Sequence, residues 1–242
     1  MATTEHTLAT YFPTEPWLER YRTGIERSEQ VTETGEGWGV GWNGEMVFEI
    51  TSLPLESNSL GDLPEPLVDS IEETVFETLE AAELEEIIAA APPQIQSAID
   101  ERTGSLRERA FAELQSTSLV DAPDRLWPEL RSVIPEVLLA LLEQLETRVV
   151  DSDTIYAWLD LRDGTCDEVA VLSEIGERDH GFVLSGPYDV WKRLVAGDAG
   201  VINLIMGGEL ELDGDMQKLL QYSDAAIALT EVAAETDSEF LF

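Results

Sequence analysis

Thr154-Ile155-Tyr156-Ala157-Trp158-Leu159-Asp160-Leu161-Arg162-Asp163-Gly164 is the segment on which the reading of this chain turns. Up to Leu161 it is rich in β-branched and aromatic residues, which favour a strand. Asp163-Gly164 then supplies the left-handed backbone of a tight hairpin turn. Thr165 to Leu172 returns as a second strand, and Gly181-Phe182-Val183-Leu184 reads as a third. Pro187 opens a helix to Ala196, with Val190, Trp191 and Leu194 inward. A short helical turn follows over Ala199 to Met206. Gly208 to Gly214 reads as a strand. Asp215 caps a long helix to about Glu235 whose stripe is Met216, Leu219, Leu220, Ala226, Ile227 and Thr230.

Upstream of the hairpin the period differs. Residues 13–30 predict one amphipathic helix, with Trp17, Leu18, Tyr21 and Ile25 on one face. Five glycines between Gly35 and Gly44 lead into Glu45 to Ile50, which alternates as a strand after the Asn43-Gly44 turn. With no lysine and no following helix, those glycines fit turns and a twisted strand entry better than a phosphate loop. Residues 52–61 are a linker by composition. From 62 to 148 every periodic segment is helical: 62–78, a short element carrying Leu84, Ile87 and Ile88, then 94–117 and 128–147. The last has Leu138, Leu141, Leu142 and Leu145 on one side. No internal repeat is evident.

The chain has 242 residues, enough for one large domain or two small ones, and an ordinary 43% hydrophobic content. Its charge is extreme. Fifty acidic residues face fourteen basic ones, a formal charge of -36. Of the bases, only Lys192 and Lys218 are lysines. The acids run from Glu5 to Glu239 without clustering. That spread favours a surface suited to molar salt, where the Debye length is about 3 Å, over a patch matched to one basic partner. Nucleic acid and anionic membranes are disfavoured as ligands, because both require clustered Lys and Arg. Cys166 is the only cysteine, which fits a reducing compartment. Met1 to His6 has no positive n-region and no apolar h-region, so no signal peptide is expected. No stretch spans a bilayer: Val133 to Leu142 is too short and is interrupted by Pro135 and Glu136. A cytoplasmic protein with no integral membrane segment is the expectation.

Four ordered pieces carry a family resemblance: the hairpin Tyr156 to Gly164, Ser185-Gly186-Pro187-Tyr188-Asp189-Val190-Trp191, the helix-closing Gly197, and Met206-Gly207-Gly208-Glu209-Leu210-Glu211-Leu212-Asp213-Gly214-Asp215. In this order and at short spacings they resemble the sterol carrier protein 2-like (SCP2-like) domains. Trp38 to Ile50 resembles that family's first strand. Residues 51–150 do not match the compact form and look like an insertion between the first and second strands. The resemblance implies an α+β fold: a curved, mostly antiparallel five-stranded sheet with helices on one face, plus an inserted all-α segment. The expected division is a discontinuous domain, 13–50 with 151–242, and a helical insertion over 56–149. It further implies an apolar tunnel for fatty acyl chains, sterols or isoprenoids, with no catalytic residues and no cofactor.

The cavity set that follows is Phe48, Tyr156, Trp158, Trp191, Leu194, Ile202, Ile205, Met206, Leu210, Leu212, Met216, Leu219 and Leu220. For Tyr156, Trp158 and Trp191 core packing is the plainer reading, since aromatics at strand and helix spacing usually fill a core. Met206, Met216, Leu219 and Leu220 flank the predicted Leu210–Leu212 strand and are the better cavity candidates. Other chemistry is poorly supported. Two distant histidines, His6 and His180, and one cysteine do not make a zinc site. Cys166 lies among acids that raise its pKa, and reads as a small buried hydrophobe. Leu184-Ser185-Gly186 lacks the first glycine of a nucleophile elbow, so Ser185 is assigned to starting the helix. Three functions remain open. One is a non-catalytic carrier of a hydrophobic small molecule. The second is an interaction or homo-oligomerisation module, with a closed cavity and the helical insertion as docking surface. The third is an enzyme or the substrate-holding partner of one, although no separate catalytic domain is visible.

Overall fold

The computed structural model describes residues 8–149 and 153–242. The expectations placed on Met1–His6, including His6, fall outside the described residues. Two compact units emerge. One comprises residues 8–53 and 153–241; the other comprises 54–149 together with Phe242.

In chain order, β1 (Tyr11–Phe12) leads to α1 (Glu15–Arg27) and α2 (Glu29–Thr34). The single helix expected over 13–30 is therefore two. Ser28 leaves the helical backbone region, and its hydroxyl accepts from the Val31 amide, starting α2 afresh. Thr14 caps α1 and is fully buried. Its hydroxyl donates to the Leu8 carbonyl at 2.7 Å. Trp17, Leu18, Tyr21 and Ile25 are buried along one stripe, as their spacing requires. β2 (Met46–Thr51) follows.

The unit of residues 54–149 contains α3 (Glu65–Ile71), α4 (Ala81–Ala89), α5 (Pro93–Glu101), α6 (Leu106–Gln115), α7 (Ala122–Arg125), α8 (Pro128–Arg131) and α9 (Glu136–Arg148). A π-helical stretch, Glu72–Glu77, continues α3 and buries both Val75 and Phe76. The predicted helix over 94–117 is broken after Glu101, where Gly104 has φ +115° and Ser105 caps α6 with Glu108 in a reciprocal pair of hydrogen bonds. The predicted helix over 128–147 is broken at Pro135, which cannot continue α8. Leu138, Leu141, Leu142 and Leu145 do form one buried face of α9. Glu113 is nearly buried and is held by Arg102 at 2.8 Å and Arg125 at 3.5 Å.

The chain then returns to the first unit. β3 (Ile155–Arg162) and β4 (Thr165–Leu172) form the expected hairpin, with φ +51° at Asp163 and +78° at Gly164. β5 (Phe182–Pro187), α10 (Tyr188–Val195), α11 (Val201–Gly207), β6 (Glu211–Asp213), α12 (Met216–Gln221), α13 (Ser223–Glu235) and β7 (Glu239–Phe240) complete it. Ser185 lies within β5, opposite Glu49 and Glu211, and does not start a helix; Pro187 is the residue that precedes α10. Gly208, at φ +73°, ends α11, so the last sheet strand is only three residues long. The long helix expected from Asp215 is divided at Tyr222, whose backbone (φ −106°, ψ +30°) leaves the helical region. Its apolar stripe therefore resets. α12 buries Leu219, while α13 buries Ala225, Ala228, Val232 and Ala233.

The five-stranded sheet has the order β4-β3-β2-β5-β6. All neighbours are antiparallel except β2 and β5, which run parallel. The fold is α+β with a mixed sheet that does not close on itself. β2 pairs Val47 with Trp158 and Val183, and Phe48 with Ala157 and Leu184. Adjacent β2 residues point to opposite faces, so each pair names a face. Val47, Trp158, Leu172 and Val183 form one buried cluster, joined by Tyr156, Ala170 and Ile175. Helices cover the other face. α1 meets α13 at Gly24, where a Cβ would lie 2.8 Å from Val232. Because β2 is hydrogen-bonded on both sides, truncating Ile50 leaves a hole at the centre. Ile50→Ala is expected to lose about 2–5 kcal/mol in urea denaturation at fixed salt. A loss below about 0.5 kcal/mol, typical of surface changes, contradicts this placement.

Candidate functional site

Between the helix-covered sheet face and its helices lies a cavity of about 80 Å³. Met46 and Phe48 of β2, Leu161 of β3, Leu184 of β5 and Leu212 of β6 form its floor. α1 contributes Trp17 and Tyr21, α10 contributes Trp191 and Leu194, and α11 contributes Val201 and Ile205. Leu219 of α12, the linking Tyr222, and Ala226 and Leu229 of α13 close it. The whole lining belongs to the unit of residues 8–53 and 153–241.

The lining is chemically quiet. Polar atoms on four of its aromatic residues are turned to protein partners. The Tyr21 hydroxyl donates to the Leu229 carbonyl at 3.0 Å, and the Trp17 indole N–H donates to the Ser238 hydroxyl at 2.8 Å. The Trp38 and Trp191 N–H groups donate to the carbonyls of Gly44 and Glu49. Burial pushes the Tyr21 phenol far above its ordinary pKa, so it stays a neutral hydroxyl. Among the described residues, Arg162 is the one charged residue bordering the cavity, and strand alternation puts its side chain on the Asp160 face of β3, away from Leu161. The other ionisable groups noted in the sequence lie elsewhere. His180 Nδ1 hydrogen-bonds the Arg178 carbonyl at 3.1 Å in the turn before β5. Among the described residues, no group of three or more His, Cys, Asp or Glu side chains is arranged to hold a metal.

Of the thirteen residues expected at a cavity, Phe48, Trp191, Leu194, Ile205, Leu212 and Leu219 border this one. The others are placed differently. Tyr156 and Trp158 belong to the cluster on the opposite sheet face, because their register pairs them with the wrong parity of β2. Trp158 donates to the Asp179 carbonyl at 3.0 Å and carries the Arg178 guanidinium 4.7 Å above its ring. Leu210 is buried against Gly186, where any Cβ would collide with it. Met206, Met216 and Leu220 are exposed, and Ile202 is half-buried outside the lining. Sequence reasoning missed the contribution of α1 and of the glycine stretch. Gly35 and Trp38 reach the cavity because the β3–β4 turn anchors them: Gly37 N–H donates to the Asp163 carboxylate at 2.8 Å, and Asp163 N–H to the Trp38 carbonyl at 2.8 Å.

The SCP-2 sterol transfer family model matches residues 136–226. The chain carries an SCP2-like domain. No curated protein matches the chain. Among solved structures, a crystal structure of sterol carrier protein 2 is similar at 15% identity and a TM-score of 0.45, over 92% of this chain and 97% of that one. A conserved hypothetical protein of Thermus thermophilus, solved in solution, is similar at 15% identity and a TM-score of 0.45, over 93% and 90%. Sterol carrier protein 2 of Yarrowia lipolytica, in its apo form, is similar at 21% identity and a TM-score of 0.26, over 38% and 65%.

Cys166 of the SCP2-like domain is fully buried, as a small apolar group would be. Burial pushes its thiol up to about 12; Arg22 opposes the shift, and Asp160 and Asp167 add to it. Native protein at pH 8 should therefore resist a thiol reagent such as Ellman's, and react stoichiometrically once denatured. Rapid native labelling contradicts the buried position.

Proposed function

We propose that the SCP2-like domain binds and carries a hydrophobic small molecule, of the fatty acyl, sterol or isoprenoid class, without performing chemistry on it. The observation that supports this reading is the cavity itself: mostly aliphatic and aromatic walls, drawn from the sheet and the helices over it, with no Asp, Glu, His, Lys, Cys or Ser among the described residues of its lining. We propose further that the lipid-holding domain is discontinuous, 13–50 with 151–242, and that 56–149 is a helical insertion.

Size sets the mechanism. A cavity that admits benzene measures about 150 Å³, against about 80 Å³ here. An acyl chain enters only if the walls part. A lipid burying ~300 Å² of apolar surface gains roughly 7–8 kcal/mol at about 25 cal/mol per Å². Association consumes about 4–15 kcal/mol, so micromolar, chemically tolerant binding is the expected ceiling. Weak, tolerant binding suits a carrier, which must also release.

Ala226 borders the cavity from α13 and is half-buried. Ala226→Phe fills the lumen. It is expected to weaken binding of a fluorescent fatty acid by about tenfold or more, about 1.4 kcal/mol or more, with an unchanged far-UV spectrum. Equal affinity in the two proteins places the probe elsewhere. No saturable binding of any acyl or isoprenoid probe by the unaltered protein overturns the reading. Deleting 56–149 separates it from an interaction module: a carrier keeps probe binding whatever happens to its oligomeric state.

A further inference from the structure

The unit of residues 54–149 holds a cavity of its own, of about 30 Å³. Ten of its thirteen lining residues are apolar, among them Phe76, Ile95, Ile99, Trp127 and Leu130. The other three, Glu113, Thr117 and Arg125, stand together. The Thr117 hydroxyl donates to the Glu113 carbonyl at 3.1 Å, and Arg125 lies 3.5 Å from the Glu113 carboxylate. The wall at Phe76 belongs to the π-helical stretch Glu72–Glu77. π-Helical turns are rare and are found mostly at functional sites.

The polar groups of the lining are not equally occupied. The Trp127 indole N–H donates to the Ile87 carbonyl at 2.8 Å. Glu113 Oε2 accepts from Arg102 Nε at 2.9 Å and from Arg102 Nη2 at 2.8 Å, and Arg102 also donates to the Ser116 hydroxyl. Arg102 therefore neutralises Glu113. Arg125 keeps only the long contact to Glu113 Oε1, and among the described residues its side chain makes no hydrogen bond. With two guanidinium groups around one carboxylate, a positive charge is left over, in a chain whose formal charge is -36. The Arg125 side chain is 35% exposed, so an ion can reach it from solvent.

Shape and charge together select the occupant. By volume about two waters fit, but walls this apolar leave them short of hydrogen-bond partners, and apolar cavities stay dry. A short alkyl group fills the same space without that cost. A guanidinium with unused donors is matched by a planar carboxylate, which it binds through two parallel hydrogen bonds. We propose that this pocket is a second binding site, for a short-chain aliphatic carboxylate of propionate or butyrate size. The tail lies among Phe76, Ile95, Ile99 and Leu130, and the head sits on Arg125. The site is independent of the carrier reading, because it shares no lining residue with the larger cavity.

Titration of the ¹⁵N-labelled full chain with butyrate at constant ionic strength, followed on the tryptophan indole N–H resonances, tests it. The Trp127 resonance, identified by its loss in Trp127→Phe, is expected to shift saturably with a millimolar Kd. Those of Trp17, Trp38 and Trp191, which line the larger cavity, are expected to stay in place. Arg125→Gln should weaken butyrate binding by about tenfold or more, and Arg125→Lys by less, since it keeps the charge and loses the fork. Both variants should keep the far-UV spectrum and the fatty-acid probe affinity of the unaltered chain. On that unaltered chain, butanol tests the head and octanoate the size: each should bind here about tenfold more weakly than butyrate. Absence of a saturable Trp127 shift overturns the proposal. So does a shift that survives Arg125→Gln, that chloride alone reproduces, or that butanol or octanoate matches at equal concentration.

Discussion

The structure depends on β2. It lies at the centre of the sheet, antiparallel to β3 and parallel to β5, and it separates two apolar environments with adjacent side chains. Val47 closes the cluster around Trp158, while Phe48 faces the cavity. A one-residue slip would exchange these faces and put Glu49 where Phe48 now stands. The strand comes from one side of the helical unit in sequence, and both its partners from the other. Long-range pairing of this kind forms slowly, because loop closure precedes any gain from contact. Register is therefore set by burial on both faces rather than by a turn.

From that constraint the cavity follows. A sheet face paved with Met46, Phe48, Leu161, Leu184 and Leu212 must be covered. Its cover consists of helices whose lining residues include the small Ala225, Ala226 and Ala233 of α13. Small residues opposite a sheet leave space that bulkier ones would fill. The cover is also interrupted: α11, α12 and α13 are separated by Gly208, Gly214 and Tyr222. Short helices separated by such breaks can move apart at lower cost than one continuous helix. That is what the proposed carrier role requires of a cavity this small.

Much of this was legible in the chain. The hairpin of Tyr156 to Leu172, the strand ending at Ile50 and the buried stripes of α1 and α10 follow from period and turn chemistry. Most of the site was not legible, for three reasons. Periodicity assigned Trp158 to an inside but could not say which of two insides, since both faces of the sheet are apolar. A stripe drawn through Tyr222 as one helix placed Met216, Leu220 and Ile227 inward, and the break at Tyr222 turned them out. The role of Gly35 and Trp38 depends on a tertiary contact with Asp163, across 126 positions of sequence.

Native mass spectrometry of the protein as purified, and after incubation with a long-chain fatty acid or isoprenoid, tests the central claim most directly. The account predicts a one-to-one adduct of lipid mass that is reduced by filling the lumen from α13. A bare chain under both conditions, with the fold intact, would contradict it.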